Sequence, residues 1–150
     1  ELHKLEALSL TRKKITQEDI FNLTNLSEDY GIFELVDNYL AKNKIKVSKI
    51  LNENNFVNDD CILILRTLLN RSKRLLKLKN IQKEKDNIDE VISSYKPSIF
   101  WKEKDLVKQQ IKNWSEKEIK EKIYQISNLE ILTKKNTSSM NLVSDLISNY

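Results

Sequence analysis

Three pairs of neighbouring carboxylates are the side chains in this sequence whose type and spacing best suit acid–base chemistry. They are Glu28-Asp29, Asp59-Asp60 and Asp89-Glu90. A positioned carboxyl group can serve as a general acid or base. Each pair, however, precedes or opens a predicted helix, where a carboxylate is stabilised by the partial positive charge of the helix N-terminus. We therefore interpret the pairs as helix caps.

The single histidine, cysteine and glycine exclude several kinds of site. One His and one Cys cannot build a structural zinc site, and His3 has no Ser or Cys nucleophile beside it. Cys61 adjoins the apolar run 62–65 and is expected to be a small buried side chain. Phosphate-binding loops and dinucleotide fingerprints need at least two glycines, and Gly31 is alone. We expect no catalytic residue, no metal and no cofactor.

A basic run could contact phosphate or a partner protein. It consists of Arg71, Lys73, Arg74, Lys77 and Lys79, near the end of the longest predicted helix. The same charges also complement the dipole at a helix C-terminus. The net charge of +4 permits nucleic-acid binding without requiring it. Arginine reads guanine edges better than lysine does, so the scarcity of Arg disfavours sequence-specific DNA recognition.

Three aromatic residues are candidates for packing or for an interface. Trp101 and Trp114 are thirteen positions apart, so they lie on different sides of any helix that carries both. Either indole could stack on a base. Packing in the core or against a neighbouring subunit is the simpler interpretation, and it extends to Phe33.

The elements that position these residues are predicted to be helices. Hydrophobic residues make up 39% of the 150 residues, and Gly and Pro occur once each. Tight hairpins depend on glycine, so this composition disfavours a sheet. Apolar residues recur at spacings of three and four, typical of a buried helix face. We predict an all-α, compact bundle of about eight helices, joined by short polar loops.

Local signals set the predicted boundaries. An opening helix runs through residues 2–10, and a boundary near Arg12–Thr16 separates it from the bundle. Thr16 caps a short helix with Ile20, Phe21 and Leu23 on one side, and the polar stretch 27–31 connects it to a helix at 32–40. Later helices are predicted around the apolar residues within 45–51, 62–78, 88–95, 100–114, 119–132 and 140–150, and Phe100 is expected to point inward. Predicted caps lie at residues 58–60, Asn87, Ser98 and Ser115, and Pro97 is a stop.

Several motifs follow one another along the chain. Residues 32–37 have the form "IF-x-LVD" at a helix start, and the stretch from Ile15 to Ile20 resembles "I-T-x-E-D-V". Arg71 and Arg74 lie in a helix that is similar to "L-x-x-L-x-R-x-x-R-x-L", and the segment from Phe100 to Trp114 resembles a helix that begins "P-F-x-x-x-K" and ends "W/F-S". In this order the motifs resemble the C-terminal region of the bacterial DNA polymerase III delta subunit, a clamp-loader component. The resemblance covers nearly the whole chain.

The resemblance implies a division into residues 1–14, the end of a lid domain, and residues 15–150, a helical collar. In that family the collars of several loader subunits form a five-membered ring. The implied role is a non-catalytic, cytoplasmic scaffold that joins the delta subunit to gamma/tau and delta-prime type subunits, so that the sliding clamp can be opened and loaded on DNA. The clamp itself would bind an N-terminal domain outside this chain, and DNA would be contacted indirectly.

Two other expectations accompany that interpretation. The alternative function is a helical nucleic-acid-binding module that uses the basic face from Arg71 to Lys79. No apolar run approaches the roughly 20 residues of a membrane span, so we expect no membrane association. The sequence does not begin with Met, from which we expect a piece of a longer protein.

Overall fold

The computed structural model describes residues 16–135 and 138–149, and for residues 21–28 it describes the helical backbone. In this part of the chain we find seven α-helices, one short 3-10 helix and no strand, which confirms the all-α prediction. The predicted opening helix at 2–10 and the domain 1–14 lie outside the described residues. The helices are α1 (Gln17–Leu40), α2 (Lys44–Glu53), α3 (Asp60–Gln82), α4 (Ile88–Ser94), the 3-10 helix (Trp101–Glu103), α5 (Lys104–Asn113), α6 (Glu116–Thr133) and α7 (Ser139–Ser148).

The long helix α3 is the centre of the bundle. It packs against α1, α4, α5, α6 and α7. Of the apolar stripe that is predicted to face inward, Leu65, Leu68, Leu75 and Leu78 have no exposed surface, whereas Ile62, Leu69 and Leu76 are partly buried. Full burial of a leucine side chain contributes roughly 1.5–3 kcal/mol, so this stripe is a main source of stability.

Two predicted helix starts have a capping box, which was expected at Ser115, whereas a simple N-cap was expected at Thr16. At α1 the hydroxyl of Thr16 accepts from the backbone N–H of Asp19 (3.2 Å), whose carboxylate accepts from the N–H of Thr16 (3.0 Å). At α6 the hydroxyl of Ser115 accepts from the N–H of Glu118 (3.2 Å), and the Glu118 carboxylate accepts in return (2.7 Å). These bonds satisfy donors that a helix N-terminus otherwise leaves unpaired.

The predicted connection at 27–31 is wrong, because α1 continues through it without a break. The acidic pair Glu28-Asp29 therefore lies inside a helix and does not cap one. Gly31 is compatible with the helix interior, and its bare Cα faces the side chain of Asn54. A Cβ at this position would lie 2.9 Å from Oδ1 of Asn54. The glycine marks a close approach between α1 and the end of α2, where we had expected a turn.

Two other predicted caps also differ from the structure. Ser98 does not cap a helix: the 3-10 helix begins after Phe100, and α5 begins at Lys104. Asp59, at the N-cap of α3, makes no side-chain capping bond. Its neighbour Asn58 instead accepts from the N–H of Met140 (3.0 Å), at the start of α7. A cap supplied by a distant segment cannot be recognised from local spacing.

Candidate interaction site

The two arginines of the basic run point into the molecule. Nε of Arg71 is 3.4 Å from Oδ1 of Asp37 on α1, and Nη2 of Arg74 is 3.9 Å from the same oxygen. Both guanidinium groups also contact Glu103 of the 3-10 helix, Arg71 at 3.4 Å and Arg74 at 3.1 Å. These four residues form what we call the ionic cluster. It links α1, α3 and the 3-10 helix through opposite charges.

Burial dominates the electrostatics of Asp37. Its side chain is almost fully removed from solvent, and this loss of hydration raises its pKa. The nearby guanidinium groups of Arg71 and Arg74 oppose that rise, because positive charge favours the carboxylate. The pKa of Asp37 therefore depends on the balance between its lost hydration and its attraction to the two arginines.

The lysines of the basic run lie in two kinds of environment. Nζ of Lys79 donates to the carbonyl of Ile111 (2.9 Å) and to Oε1 of Gln82 (3.0 Å). Lys73 and Lys77 are exposed. Three of the five predicted contact residues are thus engaged within the protein, and the run does not present one continuous basic face.

The carboxyl end of α1 is held by side chains from the end of α5. The amide of Gln110 donates to the carbonyl of Asp37 (3.0 Å), and the amide of Asn113 donates to that of Ala41 (2.8 Å). Nε1 of Trp114 donates to the carbonyl of Leu40 (2.6 Å). The last carbonyls of a helix lack partners within the helix. This arrangement gives partners to the carbonyls of Leu40 and Ala41, adds a second donor to that of Asp37, which also accepts from the N–H of Ala41 (3.0 Å), and fixes α5 against α1.

The three predicted aromatic residues occupy different environments. Trp114 is buried, and its ring lies 6.3 Å from that of Tyr39. Phe33 is 43% exposed and Trp101 is 68% exposed. The guanidinium of Arg71 lies 5.9 Å from the Phe33 ring, within the range of a cation–π contact. Trp114 therefore belongs to the core, whereas Phe33 and Trp101 lie at the surface.

An open cleft of about 370 Å³ lies above the ionic cluster. Among its lining residues we call the apolar Tyr30, Phe33, Phe100 and Leu106 the walls, the exposed charged residues Glu34, Lys46 and Lys102 the rim, and the less exposed members of the ionic cluster, Asp37, Arg71 and Glu103, the base. We predicted Phe100 to point inward, which is wrong: it is 56% exposed because it precedes the 3-10 helix and lies outside the buried face of α5.

Sequence reasoning identified Phe33 and Arg71 in this cleft but missed most of the other residues that line it. The signal available was the Phe100-Trp101-Lys102 triplet, in which aromatic and basic side chains adjoin just after a proline. The partners from α1 and α2 are distant in sequence, and only the fold brings them here.

The described residues include no group of three or more His, Cys, Asp or Glu side chains placed to hold a metal ion. Cys61 is buried as expected, and burial raises the pKa of its thiol. Its sulfur lies 3.6 Å from that of Met140, which places the thiol between α3 and α7. None of the helices in these ranges is both long and apolar enough to cross a membrane.

Comparison of the chain with protein-family models, curated proteins and solved structures finds no match in any of the three. The fold and the site therefore define its class by themselves. That class is an all-helical bundle with a partly buried ionic cluster beneath an aromatic cleft.

Proposed function

We propose that this chain is a non-catalytic scaffold of the replicative clamp loader. In this role it joins a delta-type subunit to the pentameric collar, so that the sliding clamp can be opened and loaded on DNA. Its partners are gamma/tau and delta-prime type subunits, through the collar. The clamp binds a separate N-terminal domain, and DNA is contacted indirectly.

One observation carries the proposal: residues from separate motifs of the resemblance meet in space. Asp37 comes from the "IF-x-LVD" segment, and Arg71 and Arg74 come from the long helix. They join each other and Glu103 in the ionic cluster. Trp114, from the end of the third segment, bonds to Leu40 only a few residues beyond Asp37. Motifs that share one structural role support a common origin better than isolated matches do.

The arrangement suits a scaffold physically. A subunit that transmits force to a clamp must keep its helices in fixed relative positions. Ion pairs and side-chain bonds to backbone carbonyls tie α1, α3 and α5 together at the ionic cluster and at the end of α1. Exposed aromatic side chains beside this region offer surface for neighbouring subunits, because Trp, Tyr and Phe are enriched at interfaces.

Size-exclusion chromatography tests the proposal. The purified chain is mixed with gamma/tau and delta-prime type subunits from the same organism at micromolar concentrations. We expect all components to elute together, earlier than any of them alone. Ovalbumin in place of this chain provides the negative control. Independent elution of every subunit would contradict a scaffold role for this part of the protein.

The alternative, a nucleic-acid-binding module, depends on Lys73 and Lys77, the exposed members of the basic run. Its affinity for duplex DNA would fall steeply with salt, because binding releases counterions from phosphates. Fluorescence anisotropy on wild type and on Lys73→Glu/Lys77→Glu would measure this. The absence of binding at low salt would remove the alternative, whereas strong binding lost in the variant would favour it.

A further inference from the structure

We propose that the cleft above the ionic cluster is a docking site for an acidic peptide segment of a partner protein, which inserts an apolar side chain between Phe33 and Phe100. This inference does not depend on the clamp-loader role. It rests on the composition of the walls, on the charges around the opening and on the rigidity of the base.

The walls of the cleft are large apolar groups left open to solvent. Tyr30 is 65% exposed, Phe33 43% and Phe100 56%, and Leu106 also lines the cleft. The volume of about 370 Å³ falls within the range of ligand pockets and suits one or two side chains. Aromatic residues around a concave site are typical of interface hot spots. An apolar anchor would remove these walls from water.

The charges around the opening favour an acidic segment. Lys46 and Lys102 adjoin the cleft, and neither forms an ion pair with any residue in the described ranges. Glu34 is the acidic residue of this rim, which leaves two lysines against one glutamate. The acids at the base, Asp37 and Glu103, are already neutralised by Arg71 and Arg74. The rim therefore attracts carboxylates that flank the anchor.

The base of the cleft is built to keep its shape. Asp37, Arg71 and Glu103 are held in the ionic cluster, and the backbone carbonyl of Asp37 also accepts from Gln110 (3.0 Å). Arg71 in turn lies over the ring of Phe33 at 5.9 Å. A preformed site avoids the entropic cost of ordering its walls when a ligand binds.

A single-stranded nucleic acid would also find aromatic groups here on which its bases could stack. Because Asp37 and Glu103 are paired with arginines, the lining offers two unpaired cations, Lys46 and Lys102, to a polyanion, fewer than the several phosphate contacts of a typical nucleic-acid site. A protein segment can place its few carboxylates opposite Lys46 and Lys102 and its apolar anchor inside. The lining therefore favours a peptide.

The test uses a short blocked peptide with leucine-phenylalanine at its centre and aspartates on both sides. It is titrated into the isotopically labelled chain, and amide chemical shifts are followed by NMR. We expect saturable shifts at Phe33, Lys102 and Leu106. Phe100→Ala should weaken binding by about tenfold or more, as for a hot-spot residue. Lys102→Glu should weaken it by about fivefold, and added salt should lower this difference.

Matched controls separate the cleft from the rest of the surface. Tyr124→Ala removes an exposed aromatic group from α6, and Lys73→Glu reverses an exposed charge on α3. Both should leave the affinity within about twofold of wild type, in keeping with the small effects of residues outside an interface. Phe100 is exposed, so circular dichroism of Phe100→Ala should show an intact fold.

Three results would overturn the inference. One is the absence of saturable shifts at about 1 mM peptide, which would place the Kd above the millimolar range. Another is equal binding of a peptide with lysines in place of the aspartates. The third is tighter binding of oligo-dT than of the acidic peptide, with the same residues shifted, which would assign the cleft to single-stranded nucleic acid.

Discussion

Trp114 connects two helices at the level of a single side chain. Its indole N–H donates to the last carbonyl of α1, at Leu40, over 2.6 Å. Lys42 belongs to the turn that follows α1, and its ammonium group lies 4.4 Å from the centre of the Trp114 ring. The residue thus satisfies a helix end, fills the core and supports the next turn of the chain. A substitution here tests whether the contact contributes to stability.

Trp114→Phe should destabilise the protein by about 2 kcal/mol. The change removes the donor and leaves the buried Leu40 carbonyl unpaired, which costs about 1–3 kcal/mol. Chemical denaturation followed by circular dichroism measures the free energy of unfolding. The matched control is Trp101→Phe, at a ring that is 68% exposed, which should change stability by no more than about 0.5 kcal/mol. Equal effects at the two positions would contradict this role of Trp114.

Asp37 should titrate above its reference pKa of 3.8, because burial penalises its charged form. The exposed carboxyl of Asp89 provides the opposite case, since its bond to Lys108 lowers its pKa. Carbon-13 NMR of the side-chain carboxyl groups measures both in one titration. An Asp37 pKa at or below that of Asp89 would show that the arginines outweigh burial.

The sign of the pH dependence follows from that shift. A raised pKa means that the folded protein binds the Asp37 proton more tightly than the unfolded chain does. The contribution of this group to stability is therefore full below 3.8 and is lost as pH rises through the folded-state pKa. The difference in unfolding free energy between wild type and Asp37→Asn should fall over the same interval. A difference that grows with pH would contradict this direction.

The burial of a residue was easier to predict than the residues that it contacts. Cys61 was expected to be buried and is buried. The basic run was visible, but the acids that engage its arginines lie about thirty positions away along the chain, at Asp37 and Glu103. No local spacing encodes such a pairing. The cleft was missed for the same reason, because its walls come from α1, from the residue that precedes the 3-10 helix and from α5.

At the scale of whole elements, helix starts were predictable where the cap is local. The capping boxes at Thr16 and Ser115 involve residues three positions apart, so the sequence contains the complete signal. The continuity of α1 was not predictable, because a polar stretch that ends in glycine normally indicates a turn. Here tertiary contact with Asn54 accounts for the glycine. Ser98 failed as a cap because a 3-10 turn intervenes before α5.

Gly31→Ala tests the close approach between α1 and α2. Alanine favours a helix interior by about 1 kcal/mol over glycine, but its Cβ would lie 2.9 Å from Oδ1 of Asn54. The Asn54 amide also donates to the carbonyl of Ile50 (2.8 Å), which resists displacement. We expect Gly31→Ala to be neutral or destabilising in wild type and stabilising in an Asn54→Ala background. A double-mutant cycle measures the coupling, and strict additivity would contradict the contact.

Ser115→Ala should cost about 1 kcal/mol, the usual effect of losing an N-cap side chain. The substitution removes the acceptor for the Glu118 N–H at the start of α6. Ser127→Ala, within the same helix, is the matched control and should change stability by less than about 0.5 kcal/mol. Urea denaturation of both variants measures the difference. A larger loss at Ser127 than at Ser115 would show that the capping box is not a main determinant of this helix.

At the scale of the molecule, the helices form one bundle around α3. The ionic cluster and the side-chain bonds at the end of α1 lie beside the aromatic cleft. Composition was sufficient to predict this fold class, since scarce glycine and helical apolar spacing leave few alternatives. Composition could not predict which surfaces remain apolar after packing, because that depends on the relative positions of all the helices. The proposed collar role uses such surfaces.

Electron cryo-microscopy of the loader assembled from purified subunits tests that role most directly. The sample contains this protein together with gamma/tau and delta-prime type subunits. The account predicts density for the seven helices α1–α7 as one member of a five-membered ring of collars, in contact with a neighbour on each side. A ring that closes without this bundle, or density for the bundle away from the ring, would contradict it.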